Sequence, residues 1–122
     1  MFLVSKAEGG GLQAFKAEFF KALAHPVRIH ILEMLREGEK SVQELQGALG
    51  LDQSTVSQQL AVLRAKHIVR ARKEGTTVRY AVVDPLIGDL LDVARRIFNN
   101  QLTGTQTLLR ALSREGRRQA RR

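Results

Sequence analysis

Residues 38–66, GEKSVQELQGALGLDQSTVSQQLAVLRAK, constrain the fold more than any other stretch of the chain. They hold two helical patterns separated only by Gly50-Leu51-Asp52. Ser41 and Glu44 stand three apart, the spacing of a capping box, in which a hydroxyl and a carboxylate satisfy each other's backbone donors and open a helix. Val42, Leu45 and Leu49 give that helix an inner face, and Gly50 ends it. Asp52 is a natural N-cap for the next helix. On that second helix, about 53–65, Val56, Leu60 and Leu63 fall within about 60° of arc at ~100° per residue. Ser54, Thr55, Gln58 and Ala61 fall on the opposite side. The three-residue turn has a length suited to a helix-turn-helix.

The second helix is rich in uncharged hydrogen-bonding groups. Between Gln53 and Gln59 only Val56 is apolar. Hydroxyls and amides of this kind hydrogen-bond base edges in a DNA major groove, and a helix fits that groove. The aliphatic stripe anchors the helix, so the polar side must face outward. Ser54, Thr55, Ser57 and Gln58 are therefore expected to touch bases or adjacent phosphates. Gln58 is the best placed for a bidentate contact to adenine. Gln53, Gln59 and Arg64 are expected to position the helix on phosphates.

From Ile68 the apolar period changes from about 3.6 to about 2. Ile68, Val69 and Ala71 precede RKEGTT, and Val78, Tyr80 and Val82 follow it. This predicts a β-hairpin over about 68–83 with Gly75 at its tip. Arg72 and Lys73 lie on one arm and Thr77 and Arg79 on the other, so the hairpin can serve as a wing that anchors on the DNA backbone.

The flanks read as helices. SKAEGGG, within residues 1–11, reads as a flexible leader. Leu12, Phe15, Phe19 and Leu23 then recur at helical spacing, with Phe20 off the stripe. His25 flanks or caps a second helix opened by Pro26 and running to about Glu37, with Ile29, Leu32 and Leu35 on its inner face. Asp84-Pro85 opens a last helix. It carries two adjacent stripes, Leu86/Leu90/Val93/Ile97 and Ile87/Leu91/Ala94/Phe98, more than a small domain covers alone. A second subunit is the expected cover, with one wide core face as the alternative. Residues 12–103 thus form the folded unit. Leu108, Leu109 and Leu112 allow another helical turn or two, and the arginine-rich end of 104–122 is expected to be a disordered basic tail.

Composition narrows the function. With 20 Lys plus Arg against 12 Asp plus Glu, the net charge of +8 favours a polyanionic partner, although it also serves plain solubility. Residues 102–122 hold six arginines and one glutamate, so much of the excess belongs to the tail. The chain has no cysteine, which excludes disulfides, thiolate metal sites and thiol nucleophiles. No run is long and apolar enough for a membrane span or a secretory signal, so a cytoplasmic location is expected. Catalysis finds no support. Asp89 and Asp92 lack a cleft to shift a pKa, Ser54 and Ser57 have no neighbouring histidine, and Gly9-Gly10-Gly11 lacks the lysine-serine/threonine end of a phosphate loop.

Two segments carry a family resemblance: LAHPVRIHILEML (Leu23 to Leu35) and LGLDQSTVSQQLAVLRAKHIVRARKEG (Leu49 to Gly75). Their order and content resemble the ArsR-type family of winged-helix transcriptional regulators over roughly residues 15–98. The resemblance implies a mainly α winged helix-turn-helix with a small β-hairpin, forming a homodimer through the first and last helices. It implies a DNA-binding regulator, usually a repressor released from double-stranded DNA by an effector, often a metal ion. The family's metal sites do not carry over. Where one site has cysteines at the start of the third helix, this chain has Ser41 and Gln43. Where another has Asp-x-His and a later His-x-x-Glu/His pair, it keeps Asp84 but carries Leu86, Ile97 and Asn100.

No metal site, cofactor or catalytic residue is therefore assigned. Two alternatives stay open: a nickel- or zinc-responsive regulator with an unfamiliar site near His25, His30 or Glu33, and a nonspecific architectural DNA binder driven by the basic tail.

Overall fold

A computed structural model describes residues 6–120, with side chains from residue 10 onward. The element order is α1 (Lys6–Leu23), α2 (Pro26–Leu35), β1 (Lys40–Ser41), α3 (Val42–Leu49), α4 (Gln53–Ala65), β2 (Val69–Glu74), β3 (Thr77–Val82) and α5 (Leu86–Ala120). The chain divides into two compact units at residues 87 and 88.

The first unit is a helix-turn-helix with a wing. Local chemistry sets most of its boundaries. His25 caps α2, its Nδ1 accepting the Val27 N–H at 3.1 Å, and Pro26 takes the first helical position. At α3 the capping box is complete: Ser41 Oγ accepts the Glu44 N–H at 3.1 Å and Glu44 Oε1 accepts the Ser41 N–H at 2.9 Å. Gly50 closes α3 in the left-handed conformation, φ 67°. At the end of α4 the same conformation falls to a non-glycine residue, His67, φ 59°. There the Ile68 N–H reaches Leu63 O at 2.9 Å and the His67 N–H reaches Arg64 O at 3.0 Å, the paired bonds of a Schellman turn.

The core of this unit joins Ile31, Leu32 and Leu35 of α2, Leu45 of α3, Val56, Leu60 and Leu63 of α4, and Ile68 and Val69 leading into β2, all buried. The hairpin pairs β2 with β3 antiparallel, with Glu74 opposite Thr77 and Gly75-Thr76 as the two-residue loop. Gly75 has φ 63°, as a hairpin turn needs at that position. A third strand, not expected from the sequence, is the two-residue β1, which adds Lys40 and Ser41 opposite Tyr80 and Arg79 and gives the order β1-β3-β2.

Two ends differ from expectation. The region read as a flexible leader is helical from Lys6, while residues 1–5 lie outside the described residues. The tail read as disordered continues α5 to Ala120 as far as the described residues run. Gly104 and Gly116 each cost about 1 kcal/mol against alanine inside a helix, but the Leu, Arg, Gln and Ala around them are good helix formers. Within the second unit, Val93, Ile97, Phe98, Leu102, Leu108, Leu109 and Leu112 are exposed. Among the described residues no helix is long and apolar enough to cross a membrane.

The burial pattern separates anchor from surface on α4. Replacing fully buried Leu60 with alanine should cost about 2–5 kcal/mol of stability in urea unfolding. Gln58→Ala, two residues earlier on the exposed side, should change it by less than about 0.5 kcal/mol.

Candidate nucleic-acid interface

The helix α4 and the wing bring the expected residues into two distinct settings. On α4, Gln53, Ser54, Gln58 and Arg64 are exposed, and Thr55, Ser57 and Gln59 are half-buried. The outward polar row therefore exists as a surface. Its first turn is ordered by Asp52, whose carboxylate accepts Ser54 Oγ at 3.0 Å. The hydroxyls of Thr55 and Ser54 hold the Asp52 carboxyl below its ordinary range. The Ser54 hydroxyl thus donates to Asp52 and keeps its oxygen lone pairs for an incoming donor.

Gln59 is half-buried and held by Arg28. Its Oε1 accepts Arg28 Nη1 at 2.8 Å, while Arg28 Nε donates to Ala22 O at 2.7 Å and Nη2 to Lys21 O at 3.2 Å. One guanidinium thereby ties α4 to the end of α1 and to α2. The partner of Gln59 stands 31 residues away in the chain, and the Gln59 amide nitrogen keeps its donors.

The wing divides by face. Side chains alternate along a strand, and the register sets Arg72 opposite Arg79. Two like charges facing one another would repel. Glu39 sits between them: its carboxylate accepts Arg72 Nη2 at 2.6 Å and Nε at 3.1 Å, a bidentate pair, and lies 3.7 Å from Arg79 Nε. Glu74 adds a second contact to Arg72 at 3.0 Å, and Glu44 lies 3.3 Å from Arg79. Arg79 also donates to the Glu39 backbone carbonyl at 3.2 Å. The hydrogen bond from Arg72, with the nearby charges of Arg79 and Arg70, keeps the Glu39 carboxyl below its ordinary value, and the same contact holds Arg72 still more firmly protonated. Glu44 is lowered chiefly by the backbone N–H of Ser41.

The opposite face carries Ala71, Lys73, Val78 and Tyr80. Lys73 is exposed and has no ion-pair partner among the described residues. Tyr80, with Ser57, Ala61, Arg64 and Ala65 of α4, lines a cleft of about 420 Å³. This face of the wing turns toward the polar helix. Tyr80 shares a face with Lys73 through the pairing of Ala71 with Tyr80 and Lys73 with Val78, a register that the sequence alone does not give. Thr77 is half-buried on the side of Arg72 and Arg79.

Ser41 Oγ is spent on the α3 cap, and Leu86 and Ile97 offer only hydrocarbon. Among the described residues no three His, Cys, Asp or Glu side chains gather as a metal site would require.

Comparison with known proteins gives one answer. Residues 25–71 match the profile described as "Bacterial regulatory protein, arsR family". The chain is 45% identical over 106 residues to the uncharacterized HTH-type transcriptional regulator Rv0081 of Mycobacterium tuberculosis, covering 86% of this chain and 93% of that one. It is 39% identical over 85 residues to a biofilm growth-associated repressor of Xylella fastidiosa, covering 70% of this chain and 75% of that one. Among solved structures it is similar to Rv0081 itself, with TM-score 0.70 and 48% identity over 75% of this chain and 93% of that one. It is also similar to a homodimeric winged helix-turn-helix DNA-binding domain from Mycobacterium bovis, with TM-score 0.70 and 29% identity over 81% of this chain and 91% of that one.

The acidic partners of the wing give a pH signature. Carboxyls whose folded pKa lies below the ordinary 4.5 contribute stability that is complete above that value and is lost as pH falls through the folded pKa. Glu39→Gln should therefore lower the melting temperature at neutral pH. The gap to wild type should shrink below pH 4.5 and close once the folded carboxyl is protonated; melts across a pH series check this.

Proposed function

Because the chain belongs to the ArsR family of bacterial transcriptional regulators, we propose that it is a dimeric repressor, not an enzyme, acting on operator DNA in the cytoplasm. The observation that carries this reading is the exposed polar row of α4 opposite the fully buried Val56, Leu60 and Leu63. Ser54, Thr55, Ser57 and Gln58 enter a major groove. Gln58 reads adenine through its amide, and Gln53 and Arg64 meet the backbone. Lys73 anchors the wing from the side of the recognition helix. Arg72 and Arg79, engaged by Glu39, brace it, and Gln59 braces α4.

Dimerisation runs through α1 and α5. Each helix separately carries exposed apolar side chains, Phe15 and Phe20 on one, Val93, Ile97 and Phe98 on the other. A structural neighbour described as homodimeric supports dimerisation itself. Two recognition helices of such a dimer address half-sites about one DNA turn, ~34 Å, apart. Release from the operator would follow binding of an effector.

Gln58→Ala should lose about 1–3 kcal/mol of discrimination between a selected operator and a scrambled duplex. An unchanged affinity ratio would remove Gln58 from base reading.

A second reading has an observation behind it. Arg110, Arg114, Arg117 and Arg118 recur along exposed α5, a polycation able to hold DNA without regard to sequence. Deleting residues 105–122 separates the two. The operator-to-scrambled ratio should survive the deletion while overall affinity and its salt dependence fall. Loss of all binding would make the C-terminal segment the binder.

A further inference from the structure

We propose that the cleft between α4 and β3 is a seat for one phosphate of the DNA backbone, with Tyr80 as a contact residue that the helix-turn-helix pattern alone does not reveal. The inference rests on the DNA-reading function proposed above and adds a site to it.

Three features of the cleft point to an anion. Its polar lining consists of the Ser57 hydroxyl, the Tyr80 phenol and the Arg64 guanidinium, with no carboxylate among the lining residues. All three can donate, and a guanidinium matches two phosphate oxygens at once. Its remaining lining residues are Ala61 and Ala65, one helical turn apart, whose short side chains let a bulky group come close to the helix.

The second observation is the state of Arg64. Arg28, Arg72 and Arg79 all spend their guanidinium groups on protein acceptors. The guanidinium of Arg64, exposed in the last turn of α4, has no hydrogen-bond or ion-pair partner among the described residues. A cation left open beside two hydroxyls, on the side of the helix that also carries Ser57, is the arrangement a phosphate would complete. Lys73 lies on the same face of the wing as Tyr80 and extends the positive charge along the path a strand would follow.

A phosphate is favoured over a base edge by placement. Ser54, Thr55 and Gln58 lie toward the N-terminal half of α4, where recognition helices meet bases. Three of the cleft's four α4 residues, Ala61, Arg64 and Ala65, lie in its C-terminal half, Ser57 stands at the boundary beside Gln58, and the cleft is shared with the wing, which can follow the backbone.

The test uses the full chain with a duplex selected from random sequence and a scrambled duplex, each across a salt series. Arg64→Ala should flatten the salt dependence of both by about 0.9 in log–log slope, the loss of one phosphate contact. Tyr80→Phe should weaken both about three- to tenfold without altering the slope, as loss of one neutral donor does. Ala61→Leu, which fills the cleft without changing charge, should weaken both while leaving the operator-to-scrambled ratio intact. Tyr80 is the sole tyrosine, so 3-fluorotyrosine labelling gives one fluorine resonance assigned without ambiguity. It should shift with duplex and stay put with inorganic phosphate at equal ionic strength.

A shift produced by inorganic phosphate alone would assign the cleft to the free anion and overturn the DNA contact. So would an unchanged slope in Arg64→Ala together with a fluorine signal unmoved by an operator that wild type still discriminates; base reading by α4 would then stand without the cleft. A flattened slope in Arg64→Ala with no operator preference in wild type would instead keep the cleft and sink the sequence reading.

Discussion

Burial of Val56, Leu60 and Leu63 fixes how far α4 is rotated about its own axis. A helix has one rotational freedom that its backbone hydrogen bonds do not set, and an aliphatic stripe seated in a core removes it. Once those three side chains are placed, the direction of every amide and hydroxyl on the helix follows. Arg28 adds a second restraint, because its fork reaches Gln59 and two carbonyls at the end of α1. The polar row is thus presented by a rigid body, so little ordering entropy remains to be lost on docking.

The distribution of bonds changes what the basic composition means. Of the arginines in the first unit, the most firmly positioned ones face carboxylates or carbonyls within the protein. Glu39 allows two arginines to stand opposite one another across the hairpin, which cross-strand repulsion would otherwise disfavour. Net charge reports the sum of these roles and cannot tell a structural cation from one open to a ligand. Lys73 and Arg64 are distinguished by the absence of such partners among the described residues, and neither is unusual in its sequence context.

Much of the fold was legible because it is specified over three or four residues. The capping box at Ser41 and Glu44, the His25-Pro26 start, the Gly50 stop and the α4 stripe all appear as expected, as does the hairpin closed by Gly75. What escaped is longer-range or too short to carry a period. The two residues of β1 cannot show alternation. The Arg28–Gln59 and Arg72–Glu39 pairs span 31 and 33 residues, and side-chain pairing over such distances leaves no local mark. The C-terminal extent of α5 was missed because arginine and glycine content was read as disorder, whereas arginine is a good helix former and isolated glycines only weaken a helix. In the candidate interface, the α4 residues were readable from periodicity. The division of the wing required its register.

That register has a consequence for how such a hairpin can vary. Neighbours along β2 point to opposite sides, so Arg72 belongs to the braced side and Lys73 to the helix side. Lengthening both arms beyond Lys73 would move the tip outward and leave Arg72 and Lys73 on their present sides. A single residue inserted before Arg72 would exchange their sides, turning the ammonium toward the acidic partners and the guanidinium toward the cleft. The outer part of the hairpin is therefore free to vary in length, while one insertion at its base rewires its electrostatics in a single event.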